Sequence, residues 1–255
     1  MEKINELYEN NHAMERGFSS KTDILNYLLL KYLSKMQTPV GSWVLRDLLQ
    51  KEGLNVSTAT IGRALKNLDS QELTKLIEAQ GRVITAEGIQ YVKVFSEKIR
   101  IYNLQQNIMD AVQPKNIDEL LDLMRVRKAL ECETARLAAL RATDQNIEVL
   151  EKTVCIHEKC VETNDDPTKP ALGFHGELAK SSNLRFLIAS LDLLINDELW
   201  LEDRFIEITR ERADEYTLHH RLIASAIRER DPDEANHQMG IHMDAIIEDL
   251  KNLAD

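Results

Sequence analysis

Three histidines in the second half of the chain have the neighbours of inward-facing side chains. His175 has Leu172, Leu178 and Ala179 at −3, +3 and +4, and His220 has Ile223 and Ile227 at +3 and +7. His242 follows Ala235 and Met239 at −7 and −3 and precedes Ile246 at +4. These are helical spacings, so each imidazole lies on an apolar stripe. A buried imidazole needs partners for its ring nitrogens, and three that converge can meet that need by holding one divalent cation. Three nitrogen ligands with open positions suit zinc, nickel or a similar borderline metal. The alternatives are hydrogen-bonded core histidines, or a metal-free pocket whose imidazoles bond a small ligand directly. The other histidines read as non-ligands: His237 shares its face with Asp233 and Asp244, His157 sits among Glu158 and Lys159, His219 is the less inward of its pair, and His12 lies near the start.

Arg127 shares an apolar face with Leu120, Leu123 and Leu130, where an unpaired guanidinium is costly. Beside a metal, it is suited to pair with a ligand carboxylate; an internal salt bridge to Glu131 at i+4 is the other reading.

A second kind of chemistry belongs to Leu54–Leu68, LNVSTATIGRALKNL. Asn55 or Ser57 can cap a helix there, and Ile61, Ala64, Leu65 and Leu68 form its apolar stripe. The opposite face carries Thr58, Ala59, Thr60, Gly62, Arg63 and Lys66. Short polar residues at a helix start allow close approach to base edges, Arg can bond guanine in bidentate fashion, and Lys can meet phosphate. The candidate DNA contacts are Ser57, Thr58, Thr60, Arg63 and Lys66.

The elements that position these groups follow from pattern. Residues 1–17 read as an arm, and 18–92 as a domain. Ser20 caps a helix with Ile24, Leu25, Leu28, Leu29, Tyr32 and Leu33 on one face; Thr38, Pro39 and Gly41 break it; Ser42 caps a second, which Gly53 ends. After the basic helix, LTKLI and RVIT flank a turn at Glu78–Gly81. Three helices and a small hairpin make a winged helix-turn-helix, with Arg82 at the wing tip as a further DNA contact. Residues 93–115 read as a helical linker, with Ile89, Val92, Phe95, Ile99 and Tyr102 on a stripe that Pro114 ends.

From residue 116 only helical signals occur. Helices are expected from Asn116 to about Ala142, from Thr143 to near Asn164, from Ala171 to Lys180, over Leu184–Thr209, over Ala213–Arg230, and from Asp231–Pro232 to the end. With nine glycines and no phosphate loop, a dinucleotide-binding fold has no support. The fold class is mostly α: an N-terminal winged helix-turn-helix, and over 116–255 an all-α antiparallel bundle of about six helices.

Composition agrees with this division. Residues 1–100 carry 14 Lys/Arg against 12 Asp/Glu, a net +2, while the remainder carries 18 against 31, a net −13. The acidic part is not the phosphate-binding part. Three cysteines without CxxC spacing fit reduced thiols, and with no apolar run of membrane length and no secretory signal the expected compartment is the cytoplasm.

The first region resembles winged-helix modules of bacterial and archaeal regulators, on VSTATIGRALKNLD and GRVITAEG. Residues 117–253 resemble the ligand-binding domain of FadR-type regulators of the GntR family, on LMRVRKALECETARLAAL, GFHGELAKSSN, HRLIASAIRERDPDEA and MGIH. That resemblance implies that His175, His220 and His242 are metal ligands, and that Arg127 and Asn183 contact an effector, although Asn183 as a helix cap is the other reading. It further implies a small carboxylate-type metabolite as effector and a dimeric regulator, a repressor in kind, on a two-fold DNA operator. Two departures stand out. The family's fourth ligand, an Asp four residues before the first histidine, is Ala171 here, and Asp165 and Asp166 have no evident place in the site. The first domain lacks the family's usual Pro-Ser-Glu run, so operator preference does not carry over. The competing functional class is a metal-dependent hydrolase with a winged-helix docking module, its general base being Glu131 or Glu177.

Overall fold

The computed structural model describes residues 20–36, 38–195 and 210–254. The chain divides into two compact units between Ile108 and Met109.

The first unit contains α1 (Lys21–Lys35), α2 (Ser42–Lys51), α3 (Thr58–Ser70), β1 (Thr74–Ile77), β2 (Gly81–Ile84) and α4 (Ala86–Ala111). Ser20 caps α1 by accepting from the Asp23 amide. More of α1 is covered than its stripe predicts, because Asn26, Tyr27 and Leu30 are buried besides the expected leucines. Ser42 is not the cap of α2: that position is Gly41, without a side-chain bond, and Ser42 is the first helical residue. Gly53, at φ 81°, ends the α2 region in the left-handed conformation that glycine tolerates. Leu28, Leu29, Leu33, Leu45, Leu49, Ile61, Leu65 and Leu68 close a core of almost pure leucine and isoleucine.

β1 and β2 pair antiparallel in the register Thr74 with Ile84 and Ile77 with Gly81. Val40 and Arg82 exchange both backbone hydrogen bonds, at 2.9 and 3.0 Å, which ties the segment before α2 to the hairpin. Gly81 permits this approach: at φ +123°, a Cβ there would lie 2.4 Å from the Val40 carbonyl. On α4, Tyr91, Val92, Phe95 and Ile99 pack against the core, whereas Ile89 is 41% exposed. The inward face at the start of the helix belongs to Gly88, which lies against the Leu73 carbonyl where a larger side chain has no room. Phe95 and Ile99, which the pattern assigned to a linker, are thus part of the first unit's packing.

The second unit is built from α5 (Ile117–Arg141), α6 (Asp144–Glu162), α7 (Thr168–Ser181), α8 (Arg185–Leu194), α9 (Ala213–Arg228) and α10 (Pro232–Ala254). Local chemistry sets their starts. Asn116 accepts from the Glu119 amide, Thr143 and Asn146 form a capping box, and Asp231 accepts from the amides of Asp233 and Glu234. Asp166 does the same for Thr168, so α7 begins three residues before the predicted Ala171, with Pro170 in its first turn. The helix predicted over Leu184–Thr209 stops at Leu194, and residues 196–209 lie outside those described. Met124, Ala135, Ala138, Leu150, Phe174, Leu178, Ile223, Ile227, Met239 and Met243 form the bundle core.

Candidate functional site

His175 of α7, His220 of α9 and His242 of α10 are 4%, 0% and 1% exposed. One ring nitrogen from each lies within 4.8 Å of the other two. Nε2 of His242 is 3.2 Å from Nε2 of His175 and 3.3 Å from Nε2 of His220. Two nitrogens bonded to one tetrahedral zinc at its usual Zn–N length stand about 3.3 Å apart. Three buried imidazoles this close together can hold a metal ion, and their donor atoms are the nitrogens that face one another.

The surroundings orient two of these rings. Glu131 of α5, fully buried, contacts Nδ1 of His175 with one carboxylate oxygen and accepts from Nε of Arg127 at 2.7 Å with the other. His175 therefore donates from Nδ1 and keeps the Nε2 lone pair for the cluster, the carboxylate–histidine arrangement that fixes a ligand's tautomer. On the far side, Nδ1 of His220 is 3.2 Å from Nδ1 of His157, and the His220 ring stacks on Phe174 with centroids 4.1 Å apart. Nδ1 of His242, Nδ1 of His219 and Nε2 of His157 are buried without a partner among the described residues.

Burial is the main force on protonation here. It pushes the His157 pKa down to about 4, with the charge of His175 adding to the effect. His220 and His242 are held well below the ordinary histidine value by burial first and by neighbouring imidazoles second. Burial alone would raise the Glu131 carboxyl, but the charges of Arg127 and His175 outweigh it and bring the pKa down to about 2. Burial thus favours the neutral form of His157, His220 and His242, the form a metal needs of its ligands, beside a carboxylate held ionised by its neighbours.

A cavity of about 30 Å³ opens onto the cluster, lined among others by Arg127, Ala171, His175, His220, His242 and Tyr216. That volume accommodates about two waters or one small polar group. Ala171 is on its wall, so the side where a fourth protein ligand is expected from the resemblance presents a methyl group. Tyr216 edges onto the His242 ring while its hydroxyl donates to Asp249 at 2.6 Å.

Several predicted roles change in the light of this geometry. Arg127 lines the cavity, yet it also makes the internal salt bridge to Glu131 that was its other reading. Asn183 does not face the cavity: it is exposed, sits at φ 50° after the end of α7, and donates to the carbonyl of Arg141 at 3.1 Å. It does not cap the next helix either, since that position is Leu184. Asp165 and Asp166 are taken up by Thr163 and Thr168. Glu131 has a partner on each oxygen and Glu177 pairs with Lys180 at the surface, so neither is a free general base.

His157 is the residue that sequence reading missed. Glu158 and Lys159 adjoin it and suggest a solvated face, but adjacent helical residues point in different directions. Ile147, Leu150 and Val154 are buried on α6, and His157 continues their stripe at the next +3 step. His219, 9% exposed, is likewise covered, with its ring edge-on to His242.

In the first unit, Ser57 caps α3 by accepting from the Thr60 amide at 3.1 Å, so its hydroxyl is committed to the helix. Thr58, Arg63 and Lys66 are exposed on one side of α3, and Arg63 leans back onto the Thr60 hydroxyl at 3.3 Å. Arg82 is not a free charge at the wing tip. Its guanidinium grips Asp69 through two nitrogens at 2.8 Å, with the side chain 12% exposed, because β2 places it beside the end of α3.

Residues 122–245 match the FCD domain family, and residues 27–92 match the Ribonuclease R winged-helix domain. Over 82 residues the chain is 32% identical to the Global nitrogen regulator NrpR of Methanocaldococcus jannaschii, covering 32% of this chain and 15% of the relative. Over 131 residues it is 28% identical to the HTH-type transcriptional repressor NanR of Klebsiella aerogenes, covering 48% of this chain and 47% of the relative. The chain thus spans less than half the length of either curated relative. A solved structure of Streptococcus agalactiae GntR aligns over 89% of this chain and 99% of its own at 24% identity, with a TM-score of 0.44. These relatives are described as regulators, not as enzymes.

Proposed function

We propose, from the match of residues 122–245 to the FCD domain family, that the chain is a DNA-binding transcriptional regulator of the FadR type in the GntR family, governed by a small ligand. Exposed α3, with a capped start and the basic pair Arg63 and Lys66, is the segment that enters the major groove. Thr58 and Thr60 lie in its first turn, close enough to the helix start to approach base edges. Arg82 acts through Asp69 to hold the hairpin on α3 rather than by touching DNA.

The bundle senses the ligand through a divalent cation, zinc or nickel, held by His175, His220 and His242. What supports this reading is the single fact that the buried His242 brings its Nε2 to 3.2 Å from that of His175 and 3.3 Å from that of His220, beside a small cavity that all three line. When bound, such a cation supplies a Lewis-acidic position for an anionic oxygen. The chain's own residues do the rest: Glu131 orients His175, Arg127 adds positive charge to the cavity wall, and Ala171 leaves space where the family has an acidic ligand. The effector is a small carboxylate, since carboxylate oxygen matches both the cation and the guanidinium.

DNA reading by one near-neutral domain is weak, so the active species is a homodimer on a two-fold site, working where the DNA is, in the cytoplasm. Among the described residues no helix is long and apolar enough to cross a membrane. Effector binding shifts the balance between dimer arrangements that do and do not fit the operator, with repression as the outcome in its absence.

Selection of bound duplexes from a randomised DNA pool by the full chain tests the reading. A two-fold symmetric site whose affinity falls with salt is expected, and Arg63→Ala should abolish the enrichment while leaving zinc binding unchanged. Failure to enrich any sequence overturns the proposal.

A further inference from the structure

The proposed metal site contains a fourth buried histidine that is not a ligand. His157 reaches the cluster from α6 and meets His220 through Nδ1 on both rings at 3.2 Å, with the ring centroids 5.2 Å apart. Both residues are 0% exposed. A contact between two ring nitrogens at this distance needs one hydrogen between them. A neutral imidazole, the form in which a ring ligates a cation, has only one N–H.

Two arrangements satisfy this count. In the first, His157 donates from Nδ1, so the hydrogen of His220 sits on Nε2 and points at Nε2 of His242, 3.3 Å away. In the second, His220 donates from Nδ1 to a bare Nδ1 of His157, whose own hydrogen moves to Nε2. Only the second leaves Nε2 of His220 with a free lone pair in the cluster. No proton is gained or lost between the two; each ring exchanges one tautomer for the other.

We infer that His157 is a positioning residue for the cation site, accepting the Nδ1 hydrogen of His220 and so turning the His220 Nε2 lone pair toward the ion. It serves His220 as Glu131 serves His175, with a neutral acceptor in place of a carboxylate. His242 has no such partner on Nδ1 among the described residues, which leaves these two outer contacts to set the cluster's tautomers. The inference rests on the proposal that the three histidines bind a cation.

Zinc competition against a chromophoric chelator, on the full chain, provides the test. His157→Phe keeps an aromatic ring in the buried site but offers no acceptor, and should weaken zinc binding by roughly 10–100-fold. His157→Asn offers an oxygen close to the position of Nδ1 and should return most of that loss, which a role in packing alone would not produce. Independently of any variant, nitrogen-15 NMR of the zinc-loaded wild-type chain should find the hydrogen on Nδ1 of His220 and on Nε2 of His157. Unchanged zinc affinity in His157→Phe, or a hydrogen on Nδ1 of His157 in the loaded protein, overturns the inference while leaving the metal site standing. If wild type and His220→Ala bind zinc equally poorly, the metal site itself falls and this inference falls with it. Should His157→Phe fail to fold, the NMR measurement decides alone.

Discussion

The two units solve the problem of a helical core in opposite ways. In the first, α1, α2 and α3 close on leucine and isoleucine, and no charged side chain among the described residues is fully buried, with Arg63 and Lys66 exposed. In the second, the centre of the bundle holds Arg127, Glu131, His157, His175, His220 and His242, all less than 5% exposed. An apolar core stabilises by burial and asks only for shape. A buried polar cluster stabilises little or nothing net, because desolvation consumes most of what the pairing returns. Its presence therefore marks a site kept for what it binds. The first unit presents its chemistry outward, on a surface a rigid partner can meet; the second turns its chemistry inward, where only something small can reach it.

The comparison can be broken most forcefully at Glu131. Glu131→Gln removes the carboxylate charge that Arg127 and His175 both meet in the buried centre, and should destabilise the bundle by about 3–5 kcal/mol. Thermal unfolding followed by calorimetry should show the loss in the bundle's transition, with that of the winged helix unmoved. A common shift of the whole profile would mean that the units do not fold separately.

Acidification of the metal-free protein should sharpen the contrast with a smaller effect. His157, His220 and His242 have folded pKa values below their unfolded one. As pH falls through the unfolded value near 6.5, the unfolded chain takes up protons that the folded bundle refuses, so stability declines. For His157 that decline runs from about 6.5 to its folded value of about 4. The first unit has no histidine among its described residues, so denaturant midpoints between pH 7 and 5 should fall for the bundle alone. A bundle midpoint that stays flat over that range would contradict the assignment of neutral buried imidazoles.

The smallest expected effect lies at the cap of α3. Ser57→Ala removes the bond to the Thr60 amide and should cost roughly 1 kcal/mol in the first unit. Circular dichroism melts should register it there, with zinc binding untouched.

Much of this was legible in the residues. Caps at Ser20, Ser57, Asn116 and Thr143 appear where Ser, Asn and Thr precede apolar periods, because the orphan amides of a first turn need a nearby acceptor. His175, His220 and His242 were found from their own helical neighbours. His157 is equally legible from Ile147, Leu150 and Val154, whose buried stripe it continues, and is hidden only by its charged sequence neighbours Glu158 and Lys159. Arg82 and Asn183 were not legible in the same sense. Each was read from its place in a pattern, whereas its partner, Asp69 in one case and the Arg141 carbonyl in the other, comes from a different element.

By itself the sequence determined the two-part layout, most helix starts, and which faces turn inward, since these depend on residues within a turn or two of each other. Tertiary structure decided what meets what. His175 contacts Glu131 from 44 positions away, His242 meets His175 across 67, and His220 meets His157 across 63. Periodicity reports that an imidazole is buried; it carries no information on which helix packs against that face or at what height. Hydrogen bonds act over about 3 Å, so a difference of one helical turn in packing separates a cluster of four histidines from four unrelated core residues.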